Sequence, residues 1–413
     1  MTRRLSDALS PGFRVWVPTL ANESALLADE LRADPERARG VTFAGVQFPG
    51  IDRIDYLALH AQARVLAWFM SPAVRHGLLD GRAELRAQDY LGIARALDDE
   101  EPFDVAIAHL TSPDAEGWCA PGLAADFLPL VWPRARRRVA HLNPRLPRLP
   151  SSWRVHVSEL DLAVEVDAPL NDFNDPRAGE VEARIGAHAA TLVRDGDTVQ
   201  FGIGSVPLSL ARSLTGHRRL RFHGGMLPSA FRTLWEAGAI DRDASITTGM
   251  VLGDAALREF AATLPGLRLE PVKMTHDPAR IAAIPRFVAF NGALEVDLFG
   301  QVNAERANGA IQAGAGGLPA FAQGALASPG GRLIVALAAS AKGGSVSRIV
   351  PALGTGSLVT LPRHLADAVV TEHGVAELRS LSLDARAQAL IAIAEPTHRA
   401  ALAAAWAEIL RHL

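Results

Sequence analysis

The sequence predicts an α/β protein made of two similar halves, each a mostly parallel sheet flanked by helices. Three observations lead there. Short β-branched apolar runs alternate with longer stretches that carry Leu and Ala at helical spacing, the pattern of strands joined by crossover helices. The chain has 413 residues, 49% hydrophobic and only 6% aromatic, which is long for one core and comfortable for two. The halves also begin alike. From Leu9 the chain reads LSPGFRVWVPTLANESALLADEL, and from Val193 it reads VRDGDTVQFGIGSVPLSLARSL.

With Gly12 set on Gly196 no gap is needed: Val15 meets Val199, Val17 meets Phe201 and Leu26 meets Leu210. Each half gives a turn glycine, a short β run, a loop and a leucine-bearing helix. Elsewhere the pattern predicts strands at Val41–Gln47, Val105–Leu110, Val139–Leu142, Leu220–His223, Arg286–Phe290, Leu333–Ala338, Leu358–Leu361 and Ala368–Thr371. Helices are expected at Val181–Val193, Leu208–Ser213, Ala230–Ala237, Leu383–Ile393 and Ala400–Leu410. The most polar interruption, Ala168 to Gly179 (APLNDFNDPRAG), suits an exposed connection. It sets an expected boundary between an N-terminal domain of residues 1–172 and a C-terminal domain of 173–413.

Charge and cysteine content narrow the function classes. A net charge of −3 gives no reason to expect nucleic acid or a membrane surface as partner. The densest basic run, Arg134 to Arg138 (RARRR), reads as a solvated face or an anion-steering patch. A single cysteine, Cys119, excludes intrachain disulfides and multi-cysteine metal sites. The N-terminal MTRRLSDALSP has no secretory apolar run, and no stretch holds 18 uninterrupted apolar residues. The expectation is a cytoplasmic protein with no metal and no permanently bound cofactor. HExxH and GxSxG are absent, which disfavours zincin and α/β-hydrolase chemistry.

Two glycine clusters could carry ligand chemistry. Gly202-Ile203-Gly204 follows a strand and leads through Ser205, Val206 and Pro207 into a helix. Glycines there let backbone amides approach an anion with the helix dipole behind them, and Pro207 suits the first turn. A tight packing turn would use the same residues. Gly314-Ala315-Gly316-Gly317 is the second cluster, either lining a ligand or turning a loop. Lys342, flanked by small residues in SAKGGSVSRI, reads as a solvated lysine or a phosphate partner.

Ordered motifs through most of the chain resemble the acetyl-CoA hydrolases, 4-hydroxybutyrate CoA-transferases and succinyl-CoA:acetate CoA-transferases. They are FMSPAVR (Phe69 to Arg75), TSPDAEGWCAPG (Thr111 to Gly122), HVSELD (His156 to Asp161), DGDTVQFGIGSVP (Asp195 to Pro207) and WEAGAID (Trp235 to Asp241). NGALEVDLFGQVNAE (Asn291 to Glu305) is very close to the family's NSAIEVDLxGQVNAE. SVSRIVPAL (Ser345 to Leu353) and VVTEHGVAELRSLSLDARAQALIAIAEP (Val369 to Pro396) follow. The resemblance implies two α/β domains of the CoA-transferase type and a homodimer or higher homo-oligomer. It implies that Gly202, Ile203, Gly204, Ser205, Val206, Gly317 and Lys342 contact coenzyme A, with acyl-CoA and a small acceptor as substrates. Asn291 would hold the thioester oxygen, and Glu372 would lie close to the reaction centre.

The family's mechanism, so implied, is covalent. A glutamate carboxylate attacks the thioester, and an acyl-glutamyl anhydride gives way to a glutamyl-CoA thioester. That glutamate sits in HSEM or HTEM, about twenty residues beyond the glycine loop. Here the stretch is Phe222-His223-Gly224-Gly225-Met226, so the nucleophile position is Gly225. Where the family reads QVDF, this chain has Leu318-Pro319-Ala320-Phe321 and lacks the Asp. Losing a covalent nucleophile costs on the order of 10³ in rate or more. Three readings stay open. Water, an amine or an alcohol attacks the acyl group directly, with Glu295 or Glu372 as general base. Another side chain, Glu295 foremost, replaces the nucleophile and true carboxylate CoA transfer survives. Or the chain binds CoA or acyl-CoA without catalysis, as a sensor or inactive partner subunit. Ser205 and Ser229 have no evident base partner, and Cys119 reads as a small buried residue.

Overall fold

The computed structural model describes residues 3–413. These divide into two compact units, the first of residues 3–174, 225–227 and 246–275 and the second of 175–224, 228–245 and 276–413.

The first unit is built on seven parallel strands: β1 (Arg14–Trp16), β2 (Thr42–Ala44), β3 (Arg64–Ala67), β4 (Ala83–Leu85), β5 (Val105–Leu110), β6 (Arg137–Leu142) and β7 (Leu162–Glu165). Their spatial order is β4-β3-β2-β1-β5-β6-β7. All six residues of β5 are buried, as a strand covered on both faces must be. Helices α1 (Ala25–Ala33), α2 (Pro72–Leu79) and α3 (Tyr90–Asp99) start where side chains satisfy first-turn amides. Ser24 accepts from Leu26, Ser71 from Val74 and Asp89 from Gly92. Trp16, Trp68, Tyr90, Phe127 and Trp132 fill the core.

The second half repeats the plan. Its strands are β8 (Thr198–Gln200), β9 (Arg221–Leu227), β10 (Ile246–Val251), β11 (Leu267–Leu269), β12 (Phe287–Gly292), β13 (Arg332–Ala336), β14 (Ala368–Thr371) and β15 (Gly374–Glu377). β8 pairs in parallel with β9 and β12, as β1 does with β2 and β5. The ladder continues through β13 and β14 and ends on antiparallel β15. β10 and β11, paired in parallel, count with the first unit. Helices α4 (Glu180–Ala190), α5 (Ser205–Ser213), α6 (Ser229–Glu236), α7 (Leu318–Ala327), α8 (Leu383–Ala392) and α9 (Arg399–Leu410) complete it. Phe287, Phe321, Leu333, Val335 and Trp406 lie in its core.

Two expectations change. Leu358–Leu361 is not a strand: Val359 is exposed, and Leu361 makes one isolated bridge to Val302. The run bridges the neighbouring strand Val302–Asn303 at its last residue alone, and one bridge does not make a ladder, so it stays an irregular segment. The arginine run is only partly a solvated face: Arg136 is exposed beside Asp104, and the other guanidinium groups bond to the chain. Arg134 donates to the carbonyls of Leu97 and Glu100, Arg137 to that of Ala8, and Arg138 to those of Trp132 and Pro133. Its guanidinium groups tie down the chain around β6.

Candidate functional site

In the second unit, β8 ends at Gln200 and the chain must turn at once into α5. Phe201 is buried beneath the turn. Gly204 then takes φ +113° and ψ 178°, a region that side chains with a Cβ avoid. Its N–H donates to Oδ1 of Asp175 at 3.0 Å, which anchors the loop from the polar connection. By helix geometry the first amides of α5, those of Ser205 and Val206, lack intrahelical partners and stand at the positive end of its dipole. Pro207 follows in the first turn, where its missing N–H costs nothing.

Beside this loop lies β12. Gln200 pairs with Ala289, so Asn291, two residues on, lies on the same face. Its Nδ2 donates to Oε1 of the buried Gln200 at 3.2 Å. An amide has two N–H bonds, so one remains for a ligand oxygen. Gly202, Ile203, Gly204, Ser205, Val206, Pro207 and Asn291 all line one cleft of about 300 Å³, whose other walls include Leu210, Phe290 and Ala293. Backbone amides at a helix start, one oriented side-chain amide and apolar walls suit an anionic ligand with an uncharged arm.

Other residues singled out from the sequence do not line that cleft. Gly317 caps α7, where a Cβ would stand 2.5 Å from Nε2 of His276. His276 is buried, and desolvation aided by the neighbouring His223 pushes its pKa down to about 3. Lys342 is exposed at φ +51° on the hairpin joining Ser340–Ala341 to Val346–Ser347. No carboxylate among the described residues pairs with it. Glu295, on the short strand Glu295–Asp297, accepts a hydrogen bond from Asn303 Nδ2 at 2.9 Å. The buried Glu372 accepts from the Ala339 N–H at 2.8 Å. Its other oxygen lies 3.9 Å from His373 Nε2, which is 3.3 Å from Glu395. These three side chains have the donor types of a metal site, and a histidine between two carboxylates accounts for them without an ion. Cys119 is buried, with its thiol pushed up to about 11 by desolvation. Gly225 is half-buried within β9.

Gln200 and Asp175 were not singled out. Gln200 stands in the motif beside the glycines, but its role depends on strand register. Asp175 acts through a contact 29 residues away.

The molecule is an α/β protein with a glycine-loop cleft beside a parallel strand, an arrangement that suits an anionic ligand. Comparison with known proteins gives the family. Residues 253–406 match the acetyl-CoA hydrolase/transferase C-terminal domain. The 4-hydroxybutyrate coenzyme A transferase of Clostridium kluyveri is 33% identical over 81% of this chain and 80% of its own. The succinyl-CoA:cyclohexane-1-carboxylate CoA transferase of Geobacter metallireducens is 34% identical over 82% and 79%. Among solved structures, 4-hydroxybutyrate CoA-transferase of Porphyromonas gingivalis superposes with a TM-score of 0.82 at 28% identity, covering 100% of this chain and 98% of that one. RipA of Yersinia pestis gives 0.89 at 25% identity, with 99% and 97% covered. The chain belongs to the acetyl-CoA hydrolase/transferase family. No helix among the described residues is long and apolar enough to cross a membrane.

Proposed function

We propose that this protein binds an acyl-CoA through the glycine loop and processes it without a glutamyl-CoA intermediate, by hydrolysis or by acyl transfer to a non-carboxylate acceptor. The observation that carries this is a pairing of retention and loss. The loop Gly202–Val206 and the oriented Asn291 amide share one cleft, while position 225 is a glycine with no side chain to attack. In this reading the loop amides and α5 hold an anionic part of CoA, and the free N–H of Asn291 polarises the thioester carbonyl. Lys342, exposed and unpaired, takes a phosphate. Attack by water or an acceptor then replaces attack by carboxylate.

Transfer through Glu295 is the second reading, and the hydrogen bond from Asn303 weighs against it, since it engages that carboxylate away from the cleft lining. Mass spectrometry of protein and small molecules after mixing with short acyl-CoAs, with and without acetate, separates the cases. Direct attack yields free CoA, or a new ester or amide, with no protein adduct. An adduct together with acyl exchange between carboxylates transfers the role to a replacement nucleophile. Saturable binding with intact acyl-CoA makes the protein a non-catalytic binder. Gly225→Glu should create or raise CoA-transferase activity; a folded variant that gains none counts against the site assignment itself.

A further inference from the structure

A carboxylate of the chain itself sits on the glycine loop. Asp175, in the second unit as the loop is, places Oδ1 3.0 Å from the Gly204 nitrogen and accepts its N–H. Gly204 is the N-cap of α5, so this amide belongs to the same helix end that offers the amides of Ser205 and Val206. A negative charge is stabilised there whether a side chain or a ligand brings it. No side chain lining the cleft is charged, which makes that helix end the chief attraction the cleft offers an anion.

The contact is only half made. Asp175 Oδ2 is buried with no hydrogen-bond partner. An unpaired buried oxygen costs at least as much as a charge at a helix end returns. A carboxylate that swings out to water hydrates both oxygens and gives up one bond, so the contact is easily exchanged. The loop has room for the exchange. A Cβ added to Gly202 would meet nothing within 4 Å, and one added to Gly204 would meet only Pro207 Cδ at 4.0 Å. Its amides can therefore be re-aimed without striking a wall. Asp175 also stands outside the cleft's lining, so its departure leaves the walls in place. Residues 166–179 form no helix or strand that would hold it back.

We propose that Asp175 is a built-in competitor for the anionic part of the ligand: it satisfies the end of α5 until a phosphate group of CoA displaces it. The inference rests on the glycine loop being the acyl-CoA site, as in the reading above. Two like charges about 5 Å apart near a protein surface oppose each other by on the order of tenfold in affinity. Carboxylate and phosphate therefore do not share one helix end, and the carboxylate, half-bonded on an irregular segment, is the one that moves. Two consequences follow from the exchange. Asp175 lowers the affinity for CoA, which favours release of the product, and ligand binding frees the stretch Asp175–Gly179 ahead of α4.

The test is calorimetric titration of CoA into wild type and Asp175→Asn, with circular dichroism to check folding. Asn keeps an oxygen that can accept the Gly204 N–H and removes the charge. The Kd for CoA should fall by on the order of tenfold in the variant at low salt, and the gain should shrink near molar salt as the charges are screened. A mere anchor of the loop predicts the opposite sign, so a folded variant that binds CoA no better than wild type, or more weakly, overturns the proposal. Trypsin reads the displacement directly. Arg177 is exposed two residues beyond Asp175, and saturating CoA should speed cleavage after it in wild type. Cleavage that CoA slows or leaves unchanged also sinks the idea. If neither protein takes up CoA, the acyl-CoA reading fails on its own, and inorganic pyrophosphate then decides Asp175. Tighter binding of pyrophosphate to Asp175→Asn than to wild type supports the competitor, and no difference between them removes it.

Discussion

Gly204 separates binding from stability because the space around it is open. The nearest heavy atom to an added Cβ is Pro207 Cδ at 4.0 Å, so Gly204→Ala meets no wall and pays only for its φ of +113°. That strain is about 1–3 kcal/mol, and a surface loop sheds it by turning its amides away. The melting temperature should therefore hardly move while the Kd for CoA, read by calorimetry, rises tenfold or more. Unchanged affinity would remove the loop from the binding site. Lys342→Ala should raise the Kd several-fold at low salt, with the difference vanishing near molar salt as an exposed charge is screened. At this scale the residues that line one cleft, Gly202–Val206 and Asn291, stand out in the sequence because their residue types and neighbours are local. The sequence is silent on Gln200 and Asp175. Their contacts come from register and from a long-range anchor, neither of which leaves a local pattern.

Packing of α4 on α5 sets where the first amides of α5 point. The contact runs through Gly186, whose added Cβ would stand 2.6 Å from the Ser209 carbonyl carbon and 2.7 Å from Leu210 N. These are backbone atoms and cannot step aside. Gly186→Ala must push α5 away, at about 1–3 kcal/mol for overpacking, and should lower the melting temperature and weaken CoA binding together. Loss of stability with full CoA affinity would show that the cleft does not depend on this helix contact. Ser209 gives the opposite sign. Its Oγ is buried in that helix pair without a partner, so Ser209→Ala should be neutral or stabilising by up to about 1 kcal/mol; a marked fall in the melting temperature would mean that the hydroxyl has a partner in solution. The repeat was legible because Gly12 and Gly196 both take positive φ, and β1 and β8 begin two residues after them. The helices that follow do not keep the same spacing, since α5 starts sooner after its strand than α1 does. Helix α7 was missed because Leu318, Ala320, Phe321, Ala322, Gly324 and Ala325 are buried, which leaves little polar face to mark a period.

Over the whole molecule, buried ionisable groups oppose one another in their dependence on pH. His109 and His276 are pushed by burial from 6.5 down to about 3. The unfolded chain binds protons that the folded one refuses, so their stabilisation is present above pH 6.5 and lost as pH falls toward 3. Asp52 and Asp126 are pushed by burial from 3.8 up to about 7. The folded chain keeps protons that the unfolded one releases, so their contribution is present below pH 3.8 and lost as pH rises through 7. His141 joins the first set, and Glu23 and Asp197 join the second. Between about pH 4 and 6.5 the two windows overlap and the slopes work against each other, each unbalanced proton being worth about 1.4 kcal/mol per pH unit. Wild type should therefore unfold in urea with a free energy that varies little across that range. Asp126→Asn removes one proton-retaining group and tips the balance toward the histidines. The stability of the variant relative to wild type should climb by about 1.4 kcal/mol per pH unit from pH 4 toward 7. Parallel curves for the two proteins would mean that Asp126 titrates like an ordinary exposed carboxylate.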